Sequence, residues 1–242
     1  QKSADTIKLI RVPVVMVHGY QENVAVFDTM KDYLNGRGFS ADAFGYESVK
    51  GVISSVKELD AFLSNKTQEY MKTGTQISKY DVISHSMGGL VARYYSCSSD
   101  YLTNDNIRKL IFVSVPHKGT PWAAIGTNYF NDQGVKDLIP DGPFISKILP
   151  STLNKGLNNK IEVGNIAVEF DEVVPSENSS LSEWGINTEV FNIGGNNFTF
   201  DNIISGNIIQ APNHKNILSN RKSFEAVEKM LNNDLPYPSV KK

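Results

Sequence analysis

The stretch that decides the fold is Tyr80-Asp81-Val82-Ile83-Ser84-His85-Ser86-Met87-Gly88-Gly89-Leu90-Val91-Ala92-Arg93. A short apolar run enters two serines around a histidine, and two glycines then lead into an apolar, helix-compatible segment. The pattern predicts a strand ending at Ser84, a reversal over one residue, and a helix starting near Met87. The apex residue, Ser86, is expected in a strained backbone conformation, which requires small neighbours on either side. Its hydroxyl then stands clear of the chain. The Met87 N–H, at a helix N-terminus, points where an oxyanion would form. An ordinary strand-to-helix loop with an incidental serine is the plainer alternative, and the agreement of strand, turn and helix disfavours it.

Outward from this turn the chain alternates strands and helices. Val12 to Val17 is a continuously apolar run, as expected of a strand buried on both faces of a parallel sheet, and it runs into His18-Gly19-Tyr20. Phe27, Met30 and Leu34 mark an amphipathic helix stopped by Gly36 and Gly38. Phe39 to Tyr46 is a second strand, and Val52, Val56, Leu59 and Phe62 mark a long helix. The helix after the serine runs to about Ser96, and Ile107 to Val115 is the next strand. Ile161 to Phe170 and Thr188 to Ile193 are two more, the last ending at Gly194-Gly195. A glycine- and asparagine-rich loop follows, and a closing helix carries Phe224, Val227 and Leu231, with Glu225 and Lys229 as an i,i+4 pair. The tail from Pro236 to Lys242 is expected to be extended and frayed. Such alternation implies a parallel sheet with helices on both faces, in a single domain spanning 1–242.

Between Trp122 and Asn159 the pattern changes. Phe130, Val135, Leu138, Phe144, Ile148, Leu149 and Leu157 are spread among glycines, prolines and asparagines with no strand signal. Short helices inserted at 122–159 are expected, packing on the core or capping a site as a lid.

The 242 residues hold 24 Lys and Arg against 26 Asp and Glu, a formal net charge of -2, with 40% hydrophobic residues. The near balance argues against a dedicated nucleic-acid binder, and no apolar run approaches the length of a membrane span. Cys97 is the only cysteine, so an internal disulfide is excluded, and burial is its expected fate. The four histidines form no close pair, so a metal site is not expected. The chain opens Gln1-Lys2-Ser3, with no methionine and no apolar leader core. A secreted, extracellular, monomeric protein is the expectation, with a cytoplasmic one as the alternative.

A serine hydroxyl needs a base to take its proton as it attacks, and that base needs an acceptor on its far nitrogen. His214, after the last strand, is the candidate base, placed on a loop. Asp171, just past a strand end in Asp171-Glu172-Val173-Val174-Pro175, is the candidate acid, with Glu172 the neighbouring alternative. His18 and His117 are rivals for the base, but both precede any plausible acid, and structural roles are favoured for them. Ser86, Asp171 and His214 occur in the order nucleophile, acid, base, each after a predicted strand.

Val17-His18-Gly19, the segment Ser84 to Arg93, Val115 to Pro121, Asp171 to Pro175 and Asn213-His214 resemble their counterparts in bacterial triacylglycerol lipases and esterases of the α/β-hydrolase superfamily. The resemblance runs nearly from end to end. It implies an α/β-hydrolase fold, a mostly parallel central sheet with helices on both faces and a small helical cap or lid, and an ester hydrolase working through an acyl-enzyme without a cofactor. It also implies lipid or acyl-ester substrates, with transient contact at a lipid interface where the 122–159 segment acts as a mobile lid. The oxyanion hole would use the backbone N–H groups of Tyr20 and Met87. Two departures stand out: Ser84 replaces the first glycine of G-x-S-x-G, and Tyr20-Gln21-Glu22-Asn23 replaces the second glycine that often follows His-Gly. An acyltransferase, or an amidase or peptidase on the same scaffold, is the alternative reading.

Overall fold

Six short strands form one parallel sheet in the computed structural model, which describes residues 10–193 and 212–241. They are β1 (Val14–Val17), β2 (Ala41–Phe44), β3 (Tyr80–His85), β4 (Ile107–Val113), β5 (Glu162–Val168) and β6 (Thr188–Phe191), in the order β2-β1-β3-β4-β5-β6. Every pairing is parallel, and β3 lies at the middle with β1 and β4 on its two sides. β1 and β3 are buried along their whole length, and β1 accordingly reads as an unbroken apolar run rather than an alternating one.

The strand alternation divides the core in two. Val15, Val17, Val82, Leu110, Phe112 and Val163 face a cluster with α2 (Val52–Lys72) and α3 (Met87–Cys97). Val14, Met16, Ile83, Ile111, Val113 and Ile166 face the other side, against α1 (Asp28–Gly36) and the closing helix Arg221–Asn232. Residues two apart share a face, so each strand feeds both layers.

Between β4 and β5 lie α4 (Pro121–Gly126), α5 (Gln133–Asp137), a π-helical turn at Phe144–Ile148 and two 3₁₀ turns. This is the expected insertion of short helices. Val135, Leu138, Phe144, Leu149 and Leu157 are all buried in the α2/α3 layer, so packing accounts for most of its apolar content.

Four local expectations change. β4 stops at Val113 because Ser114 turns to φ +48°, outside the strand region. His214 sits not on a loop but in a short helix, Pro212–Asn216. Glu225 pairs with Arg221 (3.0 Å), a turn before it, rather than with Lys229. The tail is bonded back onto the body: Val163 N–H donates to Pro236 O (2.9 Å), Ser239 N–H to Trp184 O (2.9 Å) and Lys241 N–H to Glu183 O (2.9 Å). The stretch 194–211, with the expected glycine turn and polar loop, lies outside the described residues, as do the first nine and Lys242.

Candidate active site

Ser86 occupies the single residue between the end of β3 and the start of α3, with φ 50° and ψ −130°. A non-glycine residue there is strained by roughly 1–3 kcal/mol, and the packing around the turn must enforce it. Gly88 shows how. A Cβ on it would stand 2.3 Å from the carbonyl oxygens of both Val17 and His18, so the start of α3 rests directly on the end of β1. Gly19 makes the second close approach: a Cβ there would meet the Ser86 Cβ at 2.8 Å and its Oγ at 3.3 Å. The loop bearing Tyr20 is therefore in contact with the serine. Met87, as the first residue of α3, carries an N–H with no intrahelical partner.

His214 and Asp171 meet directly. The imidazole Nδ1 lies 2.8 Å from Asp171 Oδ2 and 3.0 Å from Oδ1. Asp171 Oδ1 also accepts the N–H groups of Val173 (2.9 Å) and Val174 (2.8 Å), and only 1% of its side chain is exposed. Burial opposes its charge, but the His214 charge, its hydrogen bond and the two amides outweigh that and hold the carboxyl below its ordinary range. On His214 burial acts to lower the pKa, while Asp171, Glu22 and Glu172 raise it, with a net rise above 6.5.

The choice between Asp171 and Glu172 is geometric. Glu172 does not reach the ring; its two oxygens accept the backbone N–H groups of Asn213 and His214, each at 3.2 Å. Asn213 Nδ2 donates to Phe170 O (2.8 Å), so three contacts fix the short helix to the loop after β5. Asp171 holds the imidazole and Glu172 holds its backbone.

His85, the neighbour of Ser86, links the two halves of the site. Its ring centroid is 4.6 Å from that of His214, and its Nε2 lies 2.9 Å from the His214 carbonyl oxygen. Its Nδ1 lies 2.9 Å from Glu22 Oε2, which also accepts the Gly19 N–H at 2.8 Å. Burial opposes the Glu22 charge, but His85, His214 and the Gly19 amide hold its carboxyl at about 2. Sequence reasoning missed this pair. A glutamate three residues beyond Gly19 gives no local sign that it folds inward.

The other two histidines brace the scaffold. His18 Nδ1 lies 2.9 Å from Gly19 O, its Nε2 accepts the Tyr46 N–H at 3.4 Å, and its ring stacks on Tyr46 at 4.4 Å. His117 packs edge-on against Phe112 and touches Arg93; burial and that cation push its pKa well down. The Tyr20 side chain turns toward the insertion, its ring 6.1 Å from Trp122 and 6.4 Å from Phe130. The Tyr20 hydroxyl donates to Asp132 at 2.6 Å. The loop beside Ser86 is thus tied to α4, α5 and the turn between them. Among the described residues no group of three or more His, Cys, Asp and Glu is disposed to hold a metal ion.

Comparison with known proteins agrees with this architecture. Residues 39–136 match the family described as PGAP1-like alpha/beta domain. A triacylglycerol lipase of Burkholderia plantarii is 26% identical over 131 residues, which are 50% of this chain and 34% of that protein. The matched chain thus spans about a third of that relative's length. The mature form of the Bacillus licheniformis lipase BlEst2 superposes with a TM-score of 0.67 at 14% identity, covering 94% of each chain. A metagenomic carboxyl esterase superposes with a TM-score of 0.63 at 10% identity, covering 94% of this chain and 80% of its own.

Proposed function

The chain has the α/β-hydrolase fold, similar to that of bacterial lipases and esterases, and on that footing we propose that it is a serine carboxylic-ester hydrolase. Ser86 is the nucleophile, His214 the general base and then acid, and Asp171 the carboxylate that orients and stabilises the imidazolium. The observation that carries the reading is the Asp171–His214 pair, packed through His85 against a strained serine at the head of α3.

Ser86 Oγ attacks the ester carbonyl while His214 Nε2 takes its proton. The tetrahedral oxyanion is received by the N–H groups of Tyr20 and Met87. The C–O bond to the alcohol then breaks as the imidazolium returns the proton to the leaving oxygen, giving an acyl-Ser86 ester. Water, deprotonated by the same imidazole, attacks that ester and releases the acid. Removing one oxyanion donor in such a site costs on the order of 10²–10³ in turnover. The Asp171 carboxylate keeps the Nδ1–H tautomer, leaving Nε2 free to act.

Substrates in this reading are acyl esters or lipids. The 122–159 segment, with Trp122 and Phe130 beside Tyr20, borders the site as its cap. In this reading the chain acts as one hydrolase domain, monomeric and secreted. Hydrolysis of a series of p-nitrophenyl esters of increasing acyl length, run beside Ser86→Ala, tests this. Turnover by the wild type that Ser86→Ala abolishes supports it. Equal rates for the two, or none for either, overturn it.

A further inference from the structure

Glu22 and His85 form a second acid–imidazole pair within the site, and nothing in the triad scheme accounts for it. Both side chains are buried, with 4% and 0% exposure. His85 Nε2 faces the His214 carbonyl oxygen (2.9 Å), which can only accept, so this nitrogen carries a proton. Its Nδ1 faces Glu22 Oε2 (2.9 Å), an oxygen that already receives the Gly19 N–H (2.8 Å). The ring is thereby held from both nitrogens, between the Gly19 loop on one side and the His214 backbone on the other. An unpaired carboxylate at this depth would oppose any negative charge developing on the substrate at Ser86. The contact with the His85 ring gives it a partner.

We propose that Glu22 and His85 are positioning residues of the active site, a hydrogen-bonded pair that clamps the Gly19–Tyr20 loop to the end of β3 and the end of β3 to the His214 backbone. The catalytic part of this rests on the hydrolase reading above; the clamp itself does not. Their leverage is geometric and electrostatic together. Glu22 fixes the amide preceding Tyr20, whose own N–H is the oxyanion donor, while His85 fixes the carbonyl of the residue that carries the base. The charged and titratable groups facing His214 are Asp171 on its ring, Glu172 on its backbone, Glu22, and His85 at 4.6 Å. Facing Glu22 are His85, His214 and, further off, His18.

The test compares Glu22→Gln and His85→Gln with the wild type. Removing the Glu22 charge takes a negative neighbour from His214, so the acid limb of the kcat/KM profile moves to lower pH. Removing the His85 imidazole frees the Glu22 carboxylate, whose charge then acts undivided on His214, so the limb moves to higher pH. Each variant also loses kcat, up to about 10²-fold, with KM little changed, because what is lost is the placement of reacting groups. A merely structural role would lower activity without opposite shifts, and limbs that stay put or move the same way overturn the proposal. Should the variants fail to fold, ¹⁵N NMR of the wild type decides. Shifts that show both His85 ring nitrogens in hydrogen bonds support the pair, and either nitrogen without one overturns it. Wild-type protein without esterase activity would defeat the hydrolase reading, while the NMR result would still report on the pair.

Discussion

Glu172 and Asp171 are neighbours in sequence, yet they hold different parts of one residue: Asp171 takes the His214 imidazole at 2.8 Å, and Glu172 takes the His214 backbone N–H at 3.2 Å. The division follows from the chain's course. Asp171 is turned inward by the Val173 and Val174 amides it accepts, and Glu172 is left facing the first turn of the Pro212–Asn216 helix. Two adjacent acids therefore predict two different losses.

Asp171→Asn should reduce kcat/KM on the order of 10⁴-fold with ester substrates, because an amide neither fixes the tautomer nor stabilises the imidazolium. Glu172→Gln should cost far less, since the amide oxygen still accepts one of the two backbone N–H groups. Steady-state kinetics of the two variants check the order. Near wild-type activity in Asp171→Asn would remove Asp171 from the acid role.

The same pair sets a pH window for stability. The raised pKa of His214 contributes stability that is full below its ordinary 6.5 and fades as pH rises through the folded value. The lowered pKa of Asp171 contributes stability that is full above its ordinary 3.8 and fades as pH falls through its folded value. Both describe one interaction, so its contribution is greatest between these limits. Melting temperatures of the wild type and His214→Gln should differ most at about pH 4–6 and converge on either side. Activity needs the neutral imidazole, so the acid limb of kcat/KM should lie above 6.5.

Gly88→Ala tests the contact between elbow and β1. Its Cβ would meet the Val17 and His18 carbonyl oxygens at 2.3 Å, and neither is the end of a flexible side chain. A loss of about 1–3 kcal/mol in denaturant unfolding is expected, with activity falling further as the Met87 amide shifts.

Arg93 is a buried cation that ties three segments together. Its Nε donates to Gly156 O (2.5 Å) and one terminal nitrogen to His117 O (3.2 Å), and the guanidinium lies 4.7 Å over Trp184. Burial lowers its pKa to about 10, which leaves it charged at neutral pH. Arg93→Met should cost roughly 2–3 kcal/mol by stranding two carbonyls. Arg93→Lys should restore only part of that, because a single ammonium cannot replace a planar fork. Urea unfolding of both variants checks this.

The parts of the structure set by short-range pattern were readable from sequence. The apolar runs Val14–Val17 and Leu110–Val113 mark buried parallel strands because neither carries a polar residue. The Ser84-His85-Ser86-Met87-Gly88-Gly89 segment marks the turn because only small residues fit its close approaches. Contacts across long sequence separations were not readable. Glu22 meets His85 63 residues away, and no periodicity announces an acid that folds under a glycine loop. The docked tail escaped for a similar reason. Its hydrogen bonds are backbone groups reaching Trp184 and Glu183, and its proline-rich composition speaks only of extension.

The most direct measurement is covalent labelling with a fluorophosphonate, followed by peptide mass spectrometry. The account predicts a single adduct on Ser86, absent in Ser86→Ala and formed far more slowly in His214→Ala. An adduct on another residue, or a fully folded protein that takes up no label, would contradict it.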